Sequence, residues 1–280
     1  MLVNLKTVLS LAEAGGFAVP AFNVYNMETV MGAVRAAEEL RAPVILQVYP
    51  RLMKEETGYY LSPVILAAAK RATVPVCFHL DHGPSELETT RSIRYGATGI
   101  MLDGSTLPFE ENIALTKRVV DTCAYLDVQV EGELGHVGMT SDKEMDEFTT
   151  PEDAKIFFER TGVACLAVAV GTAHGRYKKP PKLDVDRIRA IREATGGAAL
   201  VLHGGSGVPD EEIKRGVAAG IRKMNFATDI CYAFLDSCLE ELQKPDRPVA
   251  VDSFMKRPIE AVKEFCMTRI KLVGADGKAK

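Results

Sequence analysis

Val76-Cys77-Phe78-His79-Leu80-Asp81-His82-Gly83 is an apolar run that ends in polar residues and a glycine. The run is short, apolar and bounded by turn residues, so it predicts a buried strand over Val76–Leu80. A stretch with helical periodicity, Glu86–Tyr95, follows it. This unit of buried strand, polar strand end and amphipathic helix recurs along the chain and decides the predicted fold.

Eight such strands are predicted, and nearly all their residues are apolar, as in strands covered by helices. The strands are Ala18–Asn23, Val44–Val48, Val76–Leu80, Gly99–Leu102, Val128–Glu133, Cys165–Val170, Ala199–His203 and Arg222–Phe226. The helices are Glu28–Leu40, Pro63–Ala72, Glu86–Tyr95, Phe109–Leu126, Pro151–Thr161, Val185–Glu193, Asp210–Ala219, Asp229–Leu242 and a terminal stretch, Pro248–Leu272. Eight β-then-α units favour an α/β fold, a closed (β/α)8 TIM barrel, over an open doubly wound sheet. With no linker or composition break, residues 1–280 are predicted to form one domain.

Composition narrows the class of partner. The chain has 280 residues, 47% of them hydrophobic, and a net charge of −4. A mildly acidic protein has no general attraction for nucleic acid or an anionic membrane, so a small-molecule substrate is expected. The six cysteines form no C-x-x-C pair, which predicts free thiols in a reducing, cytoplasmic setting. Neither a signal peptide nor a membrane-spanning segment is expected from the sequence.

Histidines cluster at the predicted strand ends, where α/β barrels place their chemistry. Four of the five histidines lie at three of these ends. Three neutral imidazoles with an open fourth position make a catalytic zinc site, which predicts His82, His174 and His203 as ligands. A single histidine at such a place is commonly structural, and His79, inside its strand, stays open between the two roles. His136, in a loop, is expected not to be a ligand.

Asp81 precedes His82, so on a regular strand the two side chains point to opposite sides. Twist at the strand's end can still bring both to the rim. Asp81 is then either a carboxylate that orients a histidine or a general acid/base beside the metal.

Glycine-containing segments after the last strands predict an anion site. His203-Gly204-Gly205-Ser206-Gly207 exposes successive N–H groups, and Asn225–Thr228 opens the next helix. Loops after strands 7 and 8 of such barrels frequently hold a phosphate, although a glycine-rich turn alone is weak evidence. Nucleotide-binding glycine motifs are absent. Lys223 lies at the start of its strand, and Lys178 and Lys179 lie in a loop. With no lysine at a carboxyl end, a Schiff-base mechanism lacks an obvious nucleophile.

Five motifs in order resemble the class II fructose-bisphosphate aldolase family, which includes tagatose-bisphosphate aldolases. They are Pro75-x-x-x-His79-Leu80-Asp81-His82-Gly83, Val130-Glu131-x-Glu133-Leu134-Gly135, Ala169-Val170-Gly171-Thr172-Ala173-His174-Gly175, Leu202-His203-Gly204-Gly205-Ser206-Gly207 and Asn225-x-x-Thr228. The resemblance implies zinc on His82, His174 and His203, and proton transfer by Asp81 at the C4 oxygen. It implies a second or alternative metal position at Asp103 and Glu133. It also implies dihydroxyacetone phosphate bound by Gly175, Gly204, Gly205, Ser206, Asn225, Phe226, Ala227 and Thr228.

The implied reaction is cleavage of a phosphorylated ketose, fructose 1,6-bisphosphate or tagatose 1,6-bisphosphate, by a homodimer or homotetramer. One departure from the family pattern falls after Gly138. Met139 replaces a glycine and Ser141 an acidic residue, so Asp142 or Glu144 is left to supply that carboxylate from a candidate lid, Gly138–Thr150. Three alternatives stay open: an aldolase for another ketose 1-phosphate, a zinc hydrolase, and a non-catalytic partner subunit.

Overall fold

The predicted strands close into a parallel barrel in the computed structural model, which describes residues 1–135, 148–173 and 180–279. The barrel strands are β2 (Val19–Asn23), β3 (Val44–Val48), β4 (Val76–Gly83), β5 (Gly99–Leu102), β6 (Gln129–Leu134), β7 (Cys165–Val168), β8 (Ala199–Leu202) and β9 (Ile221–Phe226). Each pairs in parallel with the next, and β9 returns to β2. A short strand, β1 (Leu2–Val3), pairs with the start of β4. The prediction of a (β/α)8 barrel is confirmed.

Helices follow the strands around the outside of the barrel. They are α1 (Leu5–Gly15), α2 (Met27–Glu39), α3 (Pro50–Lys54), α4 (Glu56–Arg71), α5 (Glu86–Arg94), α6 (Phe109–Ala124), α7 (Pro151–Thr161), α8 (Val185–Ala194), α9 (Asp210–Ala219), α10 (Thr228–Gln243), α11 (Val251–Phe254) and α12 (Lys256–Leu272). Within the described ranges, none is both long and apolar enough to cross a membrane.

Two of the predicted helices have different bounds in the structure. α4 begins at Glu56 and carries Pro63, the predicted start, in its interior. Gly58 and Leu61 precede that proline and are buried, so packing of the earlier turns outweighs the local preference for a proline at a helix start. The terminal stretch predicted as one helix is interrupted at Met255 between α11 and α12.

Apolar packing fixes the barrel strands. Phe22, Phe78 and Phe226 are fully buried, and the rings of Phe22 and Phe226 lie 5.9 Å apart between neighbouring strands.

Successive strand residues face opposite sides of a sheet, so alternate residues point into the barrel. His79 of β4 and Lys223 of β9 both approach Glu131 of β6 in this way. The barrel interior therefore holds polar side chains directly beneath the carboxyl rim.

Candidate metal and aldol-cleavage site

The end of β4 is distorted so that consecutive side chains face one site. His82 adopts a left-handed φ of 48°, and the pairing register with β5 shifts between Leu80 and Gly83. A Cβ at Gly83 would lie 2.5 Å from the Met101 carbonyl oxygen, so only glycine allows this approach. The left-handed turn costs about 1–2 kcal/mol for a residue with a side chain. It brings Asp81 Oδ1 to 3.9 Å from His82 Nε2, which regular strand alternation would prevent.

Two of the three predicted zinc ligands lie together. The imidazole rings of His82 and His203 are 4.5 Å apart between centroids, although β4 and β8 are distant in the sequence. One donor atom from each of Asp81, His82 and His203 lies within 4.8 Å of the others. The third predicted ligand, His174, lies outside the described residues, as do its neighbour Gly175 and the loop carboxylates Asp142 and Glu144.

Asp103 and Glu133 border the same cluster. Asp103 Oδ2 lies 2.7 Å from His82 Nδ1, and Ser105 donates to Asp103 Oδ1 through its N–H and its hydroxyl. Burial alone would raise the pKa of Asp103, but the bonds from His82 and Ser105 hold it far below its usual value. Glu133 Oε2 is 3.3 Å from His203 Nδ1. His82, Asp103 and Glu133 form a second group of possible metal donors. Asp103 can therefore either orient His82 or help to hold a second ion.

Two amides hold the Asp81 carboxylate. Asn23 Nδ2 donates to Asp81 Oδ2 at 2.8 Å, and Asn225 Nδ2 donates to Asp81 Oδ1 at 3.0 Å. Gln47 supports Asn23 through a 2.7 Å hydrogen bond. Burial alone would raise the pKa of Asp81, but neighbouring positive charge, chiefly at His82, lowers it below 3.8. Asp81 is therefore an ionised carboxylate at neutral pH. The side chain of Asn225, assigned to phosphate by the resemblance, is engaged with this carboxylate.

Glu131, Lys223 and His79 form a buried layer below the cluster, and local sequence patterns assign none of them a firm role. Lys223 Nζ lies 2.8 Å from Glu131 Oε2, and Glu131 Oε1 lies 2.8 Å from His203 Nε2. Burial and the charge on Lys223 lower the pKa of His79 to about 3, so its ring is neutral. Burial lowers the pKa of His203 too, but the bonds with Glu131 and Glu133 raise it to about 10 without metal.

Strand alternation is the sequence signal that could have found this layer. His79 lies two residues before Asp81, Glu131 two before Glu133, and Lys223 two before Asn225. Residues two apart on a strand share a face, so each member of the layer lies beneath a residue at the rim. Lys223 is early in its strand, as predicted, yet its long side chain reaches the interior.

The two segments predicted to bind phosphate lie against each other beside His203. Asp229 N donates to Ser206 Oγ at 3.3 Å, where α10 begins. A Cβ at Gly205 would lie 2.6 Å from the Asn225 carbonyl oxygen, which shows how closely the loops pack. The N-terminus of a 16-residue helix favours a bound anion. Phe226 is fully buried against Phe22, so only its backbone can reach a ligand there.

A closed (β/α)8 barrel with histidines and carboxylates clustered at its carboxyl rim defines a class of metal-binding barrel enzymes. The family model of class II fructose-bisphosphate aldolase matches residues 3–278. The chain belongs to this family. It is therefore a carbon–carbon lyase of the aldolase type, from a family that depends on a metal ion and acts on phosphorylated ketoses.

Solved structures resemble the whole chain. The YdjI aldolase from Escherichia coli K12 shares 36% identity, with 100% of each chain covered and a TM-score of 0.90. A candidate fructose-1,6-bisphosphate aldolase from Coccidioides immitis shares 27% identity over 99% of this chain and 98% of its own, with a TM-score of 0.87. A fructose-bisphosphate aldolase from Campylobacter jejuni, at 23% identity over 99% and 97% and a TM-score of 0.84, adds support for the fold alone.

Proposed function

We propose that this aldolase is zinc-dependent and reversibly cleaves fructose 1,6-bisphosphate or tagatose 1,6-bisphosphate. The products are dihydroxyacetone phosphate and an aldehyde such as glyceraldehyde 3-phosphate. The observation that carries the proposal is the Asp81–His82–His203 cluster directly beside the Ser206 loop and the start of α10. A metal donor group and an anion-binding helix end thus lie within reach of one small phosphorylated ketone.

The donor set fits zinc. Imidazole nitrogens are good zinc ligands, and His82 and His203 supply two whose rings are 4.5 Å apart. We assign the third position to His174, on the resemblance. When bound, zinc would supply Lewis acidity that stabilises negative charge on the oxygens of the three-carbon half. The carboxylates of Asp103 and Glu133 support the histidines or hold a second ion.

Residues of the chain itself would accept the C4 hydroxyl proton and bind the C1 phosphate. Asp81, ionised and oriented by two amides, accepts the proton of the C4 hydroxyl as the C3–C4 bond breaks. In the synthetic direction it returns that proton to the same oxygen. Backbone N–H groups of Gly204, Gly205 and the start of α10 bind the C1 phosphate, which contributes binding energy remote from the reacting bond.

The test is a panel of ketose phosphates assayed for release of dihydroxyacetone phosphate by the purified, zinc-loaded protein. We expect cleavage of ketoses phosphorylated at C1, loss of activity with chelator and recovery with zinc. A borohydride-trapped lysine adduct, or full activity in metal-free protein, would contradict the proposed mechanism. Inactivity of the pure chain with every ketose, together with activity on adding another subunit, would favour the alternative of a partner subunit. Water-dependent hydrolysis without triose phosphate release would favour the hydrolase.

The assembly and location of the protein are part of the same proposal. Exposed Leu235, Leu239 and Leu242 form an apolar stripe on α10, which supports a homodimer or homotetramer. Light scattering on the wild type and on a Leu239→Lys variant tests it, with a smaller assembly expected for the variant. All six cysteines are unpaired, which supports the expected cytoplasmic location.

A further inference from the structure

We propose that Lys223 is a positioning residue that fixes both halves of the active site from below. Through Glu131 it orients His203, and through Asn225 it orients Asp81. The inference rests on the proposed function, because it treats His203 as a metal ligand and Asp81 as the proton acceptor. The sequence analysis gave Lys223 no catalytic role, and the proposal places it in contact with neither metal nor substrate.

The first arm, the contacts from Lys223 through Glu131 to His203, leads to the metal site. Lys223 Nζ occupies one oxygen of the Glu131 carboxylate at 2.8 Å, which leaves the other oxygen facing His203 Nε2 at 2.8 Å. A carboxylate beside an ammonium group accepts hydrogen bonds, so His203 donates from Nε2. Nδ1, the nitrogen that faces Glu133 at 3.3 Å and the donor cluster, is then the one that would bind a metal ion while Nε2 keeps its proton. A carboxylate that holds one ring nitrogen in this way is known to tune the ligand strength of histidine.

The second arm, the contacts from Lys223 through Asn225 to Asp81, leads to the proposed proton acceptor. Lys223 Nζ donates to Asn225 Oδ1 at 2.7 Å, and Asn225 Nδ2 donates to Asp81 Oδ1 at 3.0 Å. An ammonium group only donates, so the amide oxygen must face Lys223 and the amide nitrogen must face Asp81. If the amide were flipped, its NH2 group would face the Lys223 ammonium group and its oxygen would face the Asp81 carboxylate. Neither pair could form a hydrogen bond. Lys223 thereby selects the one amide orientation that supports the carboxylate.

A simpler role for Lys223 is charge compensation of Glu131 in the core. Both side chains are fully buried, and breaking a buried ion pair is destabilising whatever else the pair does. Loss of stability therefore cannot separate the two roles. Metal affinity can, because charge compensation alone predicts that any folded variant binds zinc as the wild type does.

The experiment measures zinc dissociation constants by chelator competition on Lys223→Met, with circular dichroism to establish folding. We expect affinity to fall roughly 10- to 100-fold, the usual effect of losing support behind a metal-bound histidine. Arg222→Met is the matched control. It removes the neighbouring cation on β9, whose ion pair with Glu13 at 3.3 Å lies apart from the active site. We expect the control to lower the melting temperature and leave zinc affinity unchanged.

A double-mutant cycle with Glu131→Gln tests the route. If Lys223 acts on zinc through Glu131, adding Lys223→Met to the Glu131→Gln variant should weaken zinc binding no further. The double variant should still have a lower kcat than Glu131→Gln, at a similar KM, because it also loses the second arm. Misplacement of a reacting group by about 1 Å can lower the rate ~100-fold. This variant also carries the test if Lys223→Met does not fold, because the ion pair is removed as a whole.

The outcomes are distinguishable from failure of the proposed function. Wild-type protein that binds no zinc would contradict the proposed function itself. Wild-type protein that binds zinc, with equal affinity in folded Lys223→Met, would overturn the positioning role. Additive losses of zinc affinity in the cycle would overturn the route through Glu131, and an unchanged kcat in the double variant would overturn the second arm.

Discussion

Replacing Gly204 with alanine should disturb the metal site without touching a metal ligand. Gly204 follows His203 directly and has a left-handed φ of 62°. A Cβ at this position would lie 2.3 Å from the carbonyl oxygen of Ala173 and 2.8 Å from its carbonyl carbon. Both are backbone atoms, so no side-chain rotation can relieve the contact. Ala173 immediately precedes His174, so the contact bears on the segment that carries the third predicted ligand.

The magnitude follows from these distances. Ordinary contact begins at 3.4 Å, so the Ala173 oxygen must move by 3.4 − 2.3 = 1.1 Å. Overpacking of this kind costs about 1–3 kcal/mol. The left-handed backbone adds about 1–2 kcal/mol for alanine. Gly204→Ala should therefore lose about 2–5 kcal/mol in free energy of unfolding, the sum of the two ranges.

Gly196→Ala is the matched control. Its φ is 67°, and a Cβ there meets nothing within 4 Å, so it carries the backbone strain without the contact. Urea unfolding of both metal-free variants should give a difference of about 1–3 kcal/mol, the overpacking contribution alone. Zinc titration should show weakened binding only for Gly204→Ala. Equal stability and equal zinc affinity in the two variants would refute the inference that the loop after β8 rests on the segment before His174.

Three further predictions concern individual carboxylates. Asp81→Asn should keep its zinc and lose about 10²–10⁴ in kcat; loss of metal along with activity would show that Asp81 is a supporting group. Asp103→Asn should weaken zinc binding about 10- to 100-fold if Asp103 orients His82, whereas a fall in metal stoichiometry from two ions to one would show that it holds a second ion. Burial alone would raise the pKa of Glu13, but Arg192 and Arg222 lower it below 4.5, so its stabilising effect is complete above pH 4.5 and is lost as the pH falls through the folded value. The gap in melting temperature between the wild type and Glu13→Gln should therefore be largest near neutral pH and shrink as the pH falls below 4.5. A gap that does not change with pH would contradict this prediction.

Local sequence patterns were sufficient for the architecture. Each barrel strand is a short apolar run, and each is followed by a helical pattern, so the count of eight units defines a closed barrel. Because the carboxyl ends of parallel barrel strands meet at one rim, the sequence predicted Asp81, His82 and His203 there. The structure brings the three side chains together. Pro63 shows the limit of such patterns, because burial of the preceding turns moved the start of its helix.

The sequence by itself determined the barrel, the rim and the types of residue on it, since these depend on short-range periodicity and on a general property of parallel sheets. Only the tertiary structure decided how the side chains pair. Lys223 meets Glu131, and Asn225 meets Asp81, across the barrel from strands far apart in the chain. His82 reaches the site through a left-handed turn that its own side chain disfavours. Such contacts depend on the closure and stagger of the whole sheet, which no local stretch of sequence encodes.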